Sequence, residues 1–88
     1  MNVVFRRSFA RDLKQIRDKA LLKRVREIIE QVEQANVLGE LSNVKKLEGS
    51  DLYFRIRVGD YRLGLLIEGD TVTFVRFLHR KDVYRYFP

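Results

Sequence analysis

The chain has 88 residues, 45% of them apolar and 11% aromatic, with one proline and no cysteine. This is the length of one domain, 1–88, with enough apolar residues for a core; it excludes a disordered chain, disulfide staples and thiolate metal sites. The net charge of +6 favours polyanionic partners, and no apolar run approaches the roughly 18–20 residues of a membrane span.

The N-terminal MNVVFRRSFARD lacks the apolar core of a signal peptide, so a soluble, cytoplasmic protein is expected, with no membrane partner. NVVFR (2–6) alternates as a short strand. Ser8 is a suitable N-cap for a helix over 9–17 with Phe9, Leu13 and Ile16 on one face. Asp18 can cap a second helix over 19–36, whose apolar positions from Leu21 to Ala35 follow helical spacing and predict a face that covers a sheet. Charge is segregated in this region. Arg6–Arg26 holds nine basic residues against Asp12 and Asp18, whereas Glu27–Glu40 holds four acidic residues and no basic one.

Gly39 ends the helical region, and ELSNVKKLEGSD reads as a polar connection. Three strand-like runs follow. LYFRIRV (52–58) places Leu52, Phe54, Ile56 and Val58 on one face and Tyr53, Arg55 and Arg57 on the other. Gly59-Asp60 turns the chain into YRLGLLI (61–67), and Glu68-Gly69-Asp70 turns it into TVTFVRFLH (71–79). Apolar residues on both parities of the last two runs predict central strands. The tail RKDVYRYFP can form a last helical turn. The expected fold is α+β, a two-helix hairpin packed on an antiparallel sheet in the order β-α-α-β-β-β with a short C-terminal tail.

No phosphate loop, HExxH or CxxC motif is present, and the carboxylates of the second half fall mostly in turns, so neither a metal nor a cofactor is expected. What remains is basic and aromatic: Lys45, Lys46, Arg55, Arg57, Arg62, Arg76, His79, Arg80, Lys81, Tyr84, Arg85 and Tyr86. Arginine offers a planar fork to phosphate oxygens, and tyrosine can stack on a base or carry a proton. Metal-free RNA cleavage requires a base for the 2′-OH, stabilisation of the phosphorane, and an acid for the 5′-oxygen. Arginine, with a pKa above about 12, can do only the second. His79, Tyr84, Tyr86 or a lysine is left to move the protons.

KKLEG (45–49), FRIRVGDYR (54–62) and HRKDVY (79–84) resemble the C-terminal half of the RelE/ParE toxin superfamily, in particular its RelE-like branch. The element order of the whole chain is similar. The resemblance implies a type II toxin: an mRNA endoribonuclease acting in the ribosomal A site and neutralised by a cognate antitoxin in a hetero-oligomer. It implies that Arg62 activates or stabilises the reacting phosphate, that Arg80 stabilises it near the leaving group, and that Tyr84 stacks on or orients the base. Arg55 and Arg57 stand where the family carries a basic pair, lysine first, that includes the proposed base. Arg55 cannot lose a proton, which turns attention to His79. Lys45, Lys46 and Lys81 are further substrate-binding candidates, and Arg7, Arg11 and Lys14 are candidate ribosome contacts.

Strand alternation poses a geometric problem for such a site. A two-residue loop at Gly69-Asp70 with regular pairing puts Arg62 on one face and Arg80 on the other. A longer loop, a bulge near His79 or a strand ending by Leu78 is expected to reunite them. Two other readings use the same residues. One is a ParE-like inhibitor of DNA gyrase; the other is a non-catalytic RNA-binding or attenuated toxin domain.

Overall fold

The computed structural model describes all 88 residues, Met1–Pro88. The elements are β1 (Asn2–Phe5), α1 (Arg7–Lys14), α2 (Lys19–Gln34), β2 (Val44–Lys46), β3 (Tyr53–Val58), β4 (Tyr61–Glu68), β5 (Thr71–His79) and α3 (Val83–Tyr86). The fold is α+β, as expected, with the helical hairpin on one face of the sheet. Two features of the sheet differ from expectation. The connection expected over 40–51 contributes a strand, because Val44–Lys46 pairs antiparallel with Phe54–Ile56 and becomes an edge. The sheet is also mixed rather than purely antiparallel, since β1 pairs parallel to β5. The strand order is β1-β5-β4-β3-β2, which makes β4 central, with β5 between β4 and β1. No helix is long and apolar enough to cross a membrane.

The hairpin turns follow their glycines. Val58 pairs with Tyr61 and Glu68 with Thr71, leaving Gly59-Asp60 and Gly69-Asp70 as two-residue loops. Each glycine has positive φ while each aspartate does not, the pattern of a type II′ turn.

Helix α2 is capped by Asp18, whose side chain accepts from the N–H groups of Ala20 and Leu21. Its charge order, basic at the start and acidic at the end, opposes the helix dipole. The Met1 ammonium offsets this at the C-terminal end by donating to the carbonyls of Val32, Glu33 and Ala35. Helix α1 starts earlier than expected, and Ser8 is not its cap. Arg6 occupies the N-cap position with no side-chain bond, and Ser8 Oγ donates instead to Val75 O at 2.6 Å.

That contact has a structural cause. β1 pairs with β5 only as far as Phe5↔Phe74. Beyond Phe74 the outer edge of β5 has polar backbone groups without a strand partner, and α1 takes over as their partner. Ser8 satisfies the Val75 carbonyl; Asp12, one turn later, accepts the Phe77 N–H at 2.9 Å. Asp12 also takes a bidentate pair from Arg76, 2.8 Å from Nε and 3.1 Å from Nη2.

The helix-facing core contains Phe9, Val25, Val32, Ile56, Val58, Leu63, Leu65, Ile67, Val72, Phe74 and Phe77. The opposite face carries a smaller cluster, in which Val83 and Phe87 of the tail cover Val75 and pack with Tyr53, Leu66 and Leu78. The chain's own C-terminus thus covers these apolar residues of β5.

Candidate active site

A bulge in β5 decides which side chains share a face. Gly64 pairs with Arg76 and Leu65 with Phe74, so Val75 is an extra residue with no partner. The turn at Gly69-Asp70 remains a two-residue loop, and the extra residue shifts the register by one. Arg62 therefore pairs with Leu78 rather than Phe77, and the parity that carries Leu78 leads on to Arg80. A bulge was expected near His79; it lies four residues earlier, where α1 can hold the displaced backbone.

On the face away from the helices, Lys45 pairs with Arg55, Arg55 with Gly64, and Arg57 with Arg62. Asn43, Lys45, Arg55, Arg57 and Arg62 line a cavity of about 200 Å³ that contains no apolar side chain. Burial pushes the Arg62 guanidinium below its ordinary pKa, and repulsion from Arg57, Arg55 and Arg80 adds to this, while Tyr84 acts in the opposite sense. Arg62 remains a cation throughout, and the neighbouring positive charges of Arg55, Arg57 and Arg80 favour an anion beside it. Arg62 Nη1 donates to the carbonyls of Gly59 and Tyr61, each at 2.9 Å, which anchors the fork to the β3–β4 turn and directs Nε and Nη2 elsewhere.

Arg80 follows the end of β5. Its N–H donates to Asp60 O at 2.7 Å, and its Nε stands 3.9 Å from Asp60 Oδ1, a loose contact between exposed groups. The turn after it leads into α3, which places Tyr84 against the cluster. The Arg55 guanidinium lies 5.4 Å from the Tyr84 ring centroid, and Tyr84 as a residue is 67% exposed. The tail is held in this position by Phe87, whose ring sits on Gly64 and meets Tyr53 edge-on at 5.5 Å.

The structure thus brings together Lys45, Arg55, Arg57, Arg62, Arg80 and Tyr84. Other candidates lie elsewhere. His79 is on the helix-facing parity: it pairs with Tyr61, meets that ring edge-on at 5.4 Å, and accepts the Lys81 N–H on Nδ1. The same bulge that returns Arg80 to the arginine face keeps His79 off it. Lys46, one residue from Lys45, shares the parity of Phe54 and pairs with Asp51 at 3.0 Å. Arg76 is engaged by Asp12, which raises its pKa through hydrogen bonding first and charge second. Lys81 is exposed in the turn before α3, and Tyr86 packs by Arg85 at 5.9 Å. Arg7, Arg11 and Lys14 are exposed on α1, the last two in its final turn.

Three residues of the site's architecture had no clear sequence signal. Asn43 lines the cavity with φ +61°, a backbone that asparagine adopts more readily than most residues; in the sequence it falls within a polar connection. Asp12 and Gly64 act through partners 64 and 23 residues away, Arg76 and Phe87.

The model of the ParE toxin of the type II toxin-antitoxin system parDE matches residues 3–84. Toxin RelE3 of Methanocaldococcus jannaschii is 45% identical over 89 residues, covering all of both chains. Among solved structures, a RelB-RelE antitoxin-toxin complex from Methanococcus jannaschii matches with a TM-score of 0.82 and 42% identity, over 97% of this chain and 99% of that one. An archaeal RelE-RelB complex from Pyrococcus horikoshii OT3 matches with a TM-score of 0.72 and 25% identity, over 90% and 93% of the two chains.

Proposed function

The chain belongs to the RelE/ParE family of type II toxins, and from that premise we propose that it is an endoribonuclease that cuts mRNA in the ribosomal A site. The observation that carries this reading is the convergence of Arg55, Arg57, Arg62 and Arg80 with Lys45 and Tyr84 on one side of the sheet.

In the proposed reaction the RNA 2′-oxygen attacks the adjacent phosphorus, a cyclic phosphate forms, and the 5′-oxygen leaves. Arg62 and Arg80 stabilise the charge that builds on the phosphorane oxygens. Arg55 and Arg57 hold the backbone, and the exposed Tyr84 stacks on a base. Arginine moves no protons here, so Lys45 and Tyr84 are the groups at the cluster able to take the 2′-OH proton and to supply one to the leaving oxygen. His79, across the sheet, is assigned no proton-transfer step.

Relatives of this chain were solved as RelB-RelE complexes, which supports a cognate antitoxin and a toxin-antitoxin hetero-oligomer for this chain also; cleavage of translated mRNA would place its action in the cytoplasm. Exposed Arg7, Arg11 and Lys14 are the proposed ribosome contacts. Expression of the chain should arrest translation, with cuts mapped inside translated codons; the Arg62→Ala/Arg80→Ala double variant should do neither. Full toxicity of that variant would overturn the assignment.

A second reading has one observation in its favour, the match to a family model described as ParE. A gyrase inhibitor would produce filamentous cells and DNA damage with mRNA left intact, which separates the two in the same experiment.

A further inference from the structure

A second cavity adjoins the arginine-lined one. Its volume is about 200 Å³, and it lies between α2 and the end of β3. Asn43 and Arg57 line both cavities, so the two adjoin at these residues, by the start of β2. The topology accounts for their meeting at this corner. β2 begins at Val44 opposite Ile56, so no β2 residue pairs with Arg57. Asn43, at the corner, holds the chain in the left-handed region.

The two cavities differ in chemistry. The arginine cavity has no apolar lining and suits a phosphate. The second has an apolar floor that includes Ile28 and Ile56, and a rim with the Gln31 and Asn43 amides, the Ser42 hydroxyl and the Arg24 guanidinium. Glu27 also lines it, which disfavours a second phosphate. A flat ring with polar edges fits an apolar floor bordered by paired donors and acceptors. A ribonucleotide joins such a ring to a phosphate on one covalent frame, and RNA bases outside a helix are read on their edges in this way.

We propose that this cleft is a base-binding subsite, holding the nucleobase of a nucleotide next to the phosphate gripped by Arg57 and Arg62. The inference rests on the endoribonuclease reading above. It makes Asn43 and Gln31 determinants of which sequences are cut. The arginine cluster supplies affinity common to all sequences; the cleft discriminates among them.

The test uses the purified full chain in a translation extract with a reporter mRNA, mapping every cut and its rate. Asn43→Gly is the first variant, because glycine keeps the positive φ and removes only the amide. Gln31→Ala is the second, on an exposed helix position where alanine is well tolerated. The expected result is that the ratio between the best-cut and worst-cut contexts contracts by about tenfold in either variant, the scale of one lost pair of edge contacts. An unchanged ranking and spread in both folded variants, with the wild type active, would overturn the subsite and leave the ribonuclease reading intact. The same unchanged profile with weakened binding to a neutralising antitoxin would also overturn it and assign the cleft to protein docking. If the wild-type chain cuts no mRNA while Arg62→Ala behaves identically, the ribonuclease reading fails and the subsite with it.

Discussion

The Phe87 ring occupies the space that a side chain at position 64 would need: a Cβ added to Gly64 would lie 2.7 Å from Cδ1 and Cε1 of that ring. Gly64 pairs with Arg55 on β3, so the contact lies beside the arginine that meets Tyr84. The tail and the candidate active site are therefore built on one strand position.

Gly64→Ala should displace Phe87 and loosen α3, destabilising the fold by about 1–3 kcal/mol, as overpacking does. Phe87→Ala should cost about 3 kcal/mol by the opposite route, a lost ring in the tail cluster. Both should reduce cleavage more than Tyr84→Ala does, since Arg55 and the β5–α3 turn lose their support as well. Denaturant melts with single-turnover cleavage on the same samples provide the comparison.

Asp12 serves two partners, the Arg76 guanidinium and the Phe77 N–H, and it is 9% exposed. Its removal strands a partly buried cation and an edge N–H together. Asp12→Ala should cost about 2–4 kcal/mol. Because the residues act as a unit, Asp12→Ala/Arg76→Met should cost less than the sum of the single changes, with a coupling of about 1–3 kcal/mol. A double-mutant cycle in urea tests this; additive losses would show that the pair contributes little.

The arginine cluster predicts a trade between activity and stability. Like charges crowd Arg62 in the free protein. Arg62→Ala should therefore leave the melting temperature equal or higher while cleavage falls about 10²–10³-fold. Added phosphate or short RNA should raise the melting temperature of the wild type, and the increase should be smaller in the variant.

Proton transfer can be assigned by three substitutions. His79→Gln should retain cleavage within about threefold, because the ring lies on the other face beside Tyr61. Lys45→Arg keeps the charge and removes a group able to give up its proton, so loss of cleavage with retained RNA binding identifies the lysine. Tyr84→Phe keeps the ring and removes the hydroxyl, which separates stacking from proton transfer. A pH–rate profile for each variant shows which limb disappears. Loss of activity in His79→Gln alone would reverse the assignment.

Much of the fold was legible in local pattern. Helical spacing from Leu21 to Ala35, the Asp18 cap, the two Gly-Asp turns and the alternation of Phe54, Ile56 and Val58 each depend on residues within one element. Val44–Lys46 looks like a connection in the sequence because three residues are too few for alternation to register; the strand exists because β3 offers it a free edge. β1 was visible as a strand, but its parallel partner was not, since that choice depends on how the hairpin carries the chain back across the sheet.

The sequence by itself supplied the candidates for the site, its arginines, lysines, tyrosines and His79, and established that Arg55 cannot act as a base. Only the tertiary structure decided which of these residues meet. One extra residue, Val75, reverses the parity of everything after it on β5, placing Arg80 with Arg62 and His79 with Tyr61. Alternation along a strand is local and can be read from the chain. A bulge is stabilised by what packs around it, here Ser8 and Asp12 of a helix more than 60 residues earlier, and that support exists only once the chain has folded.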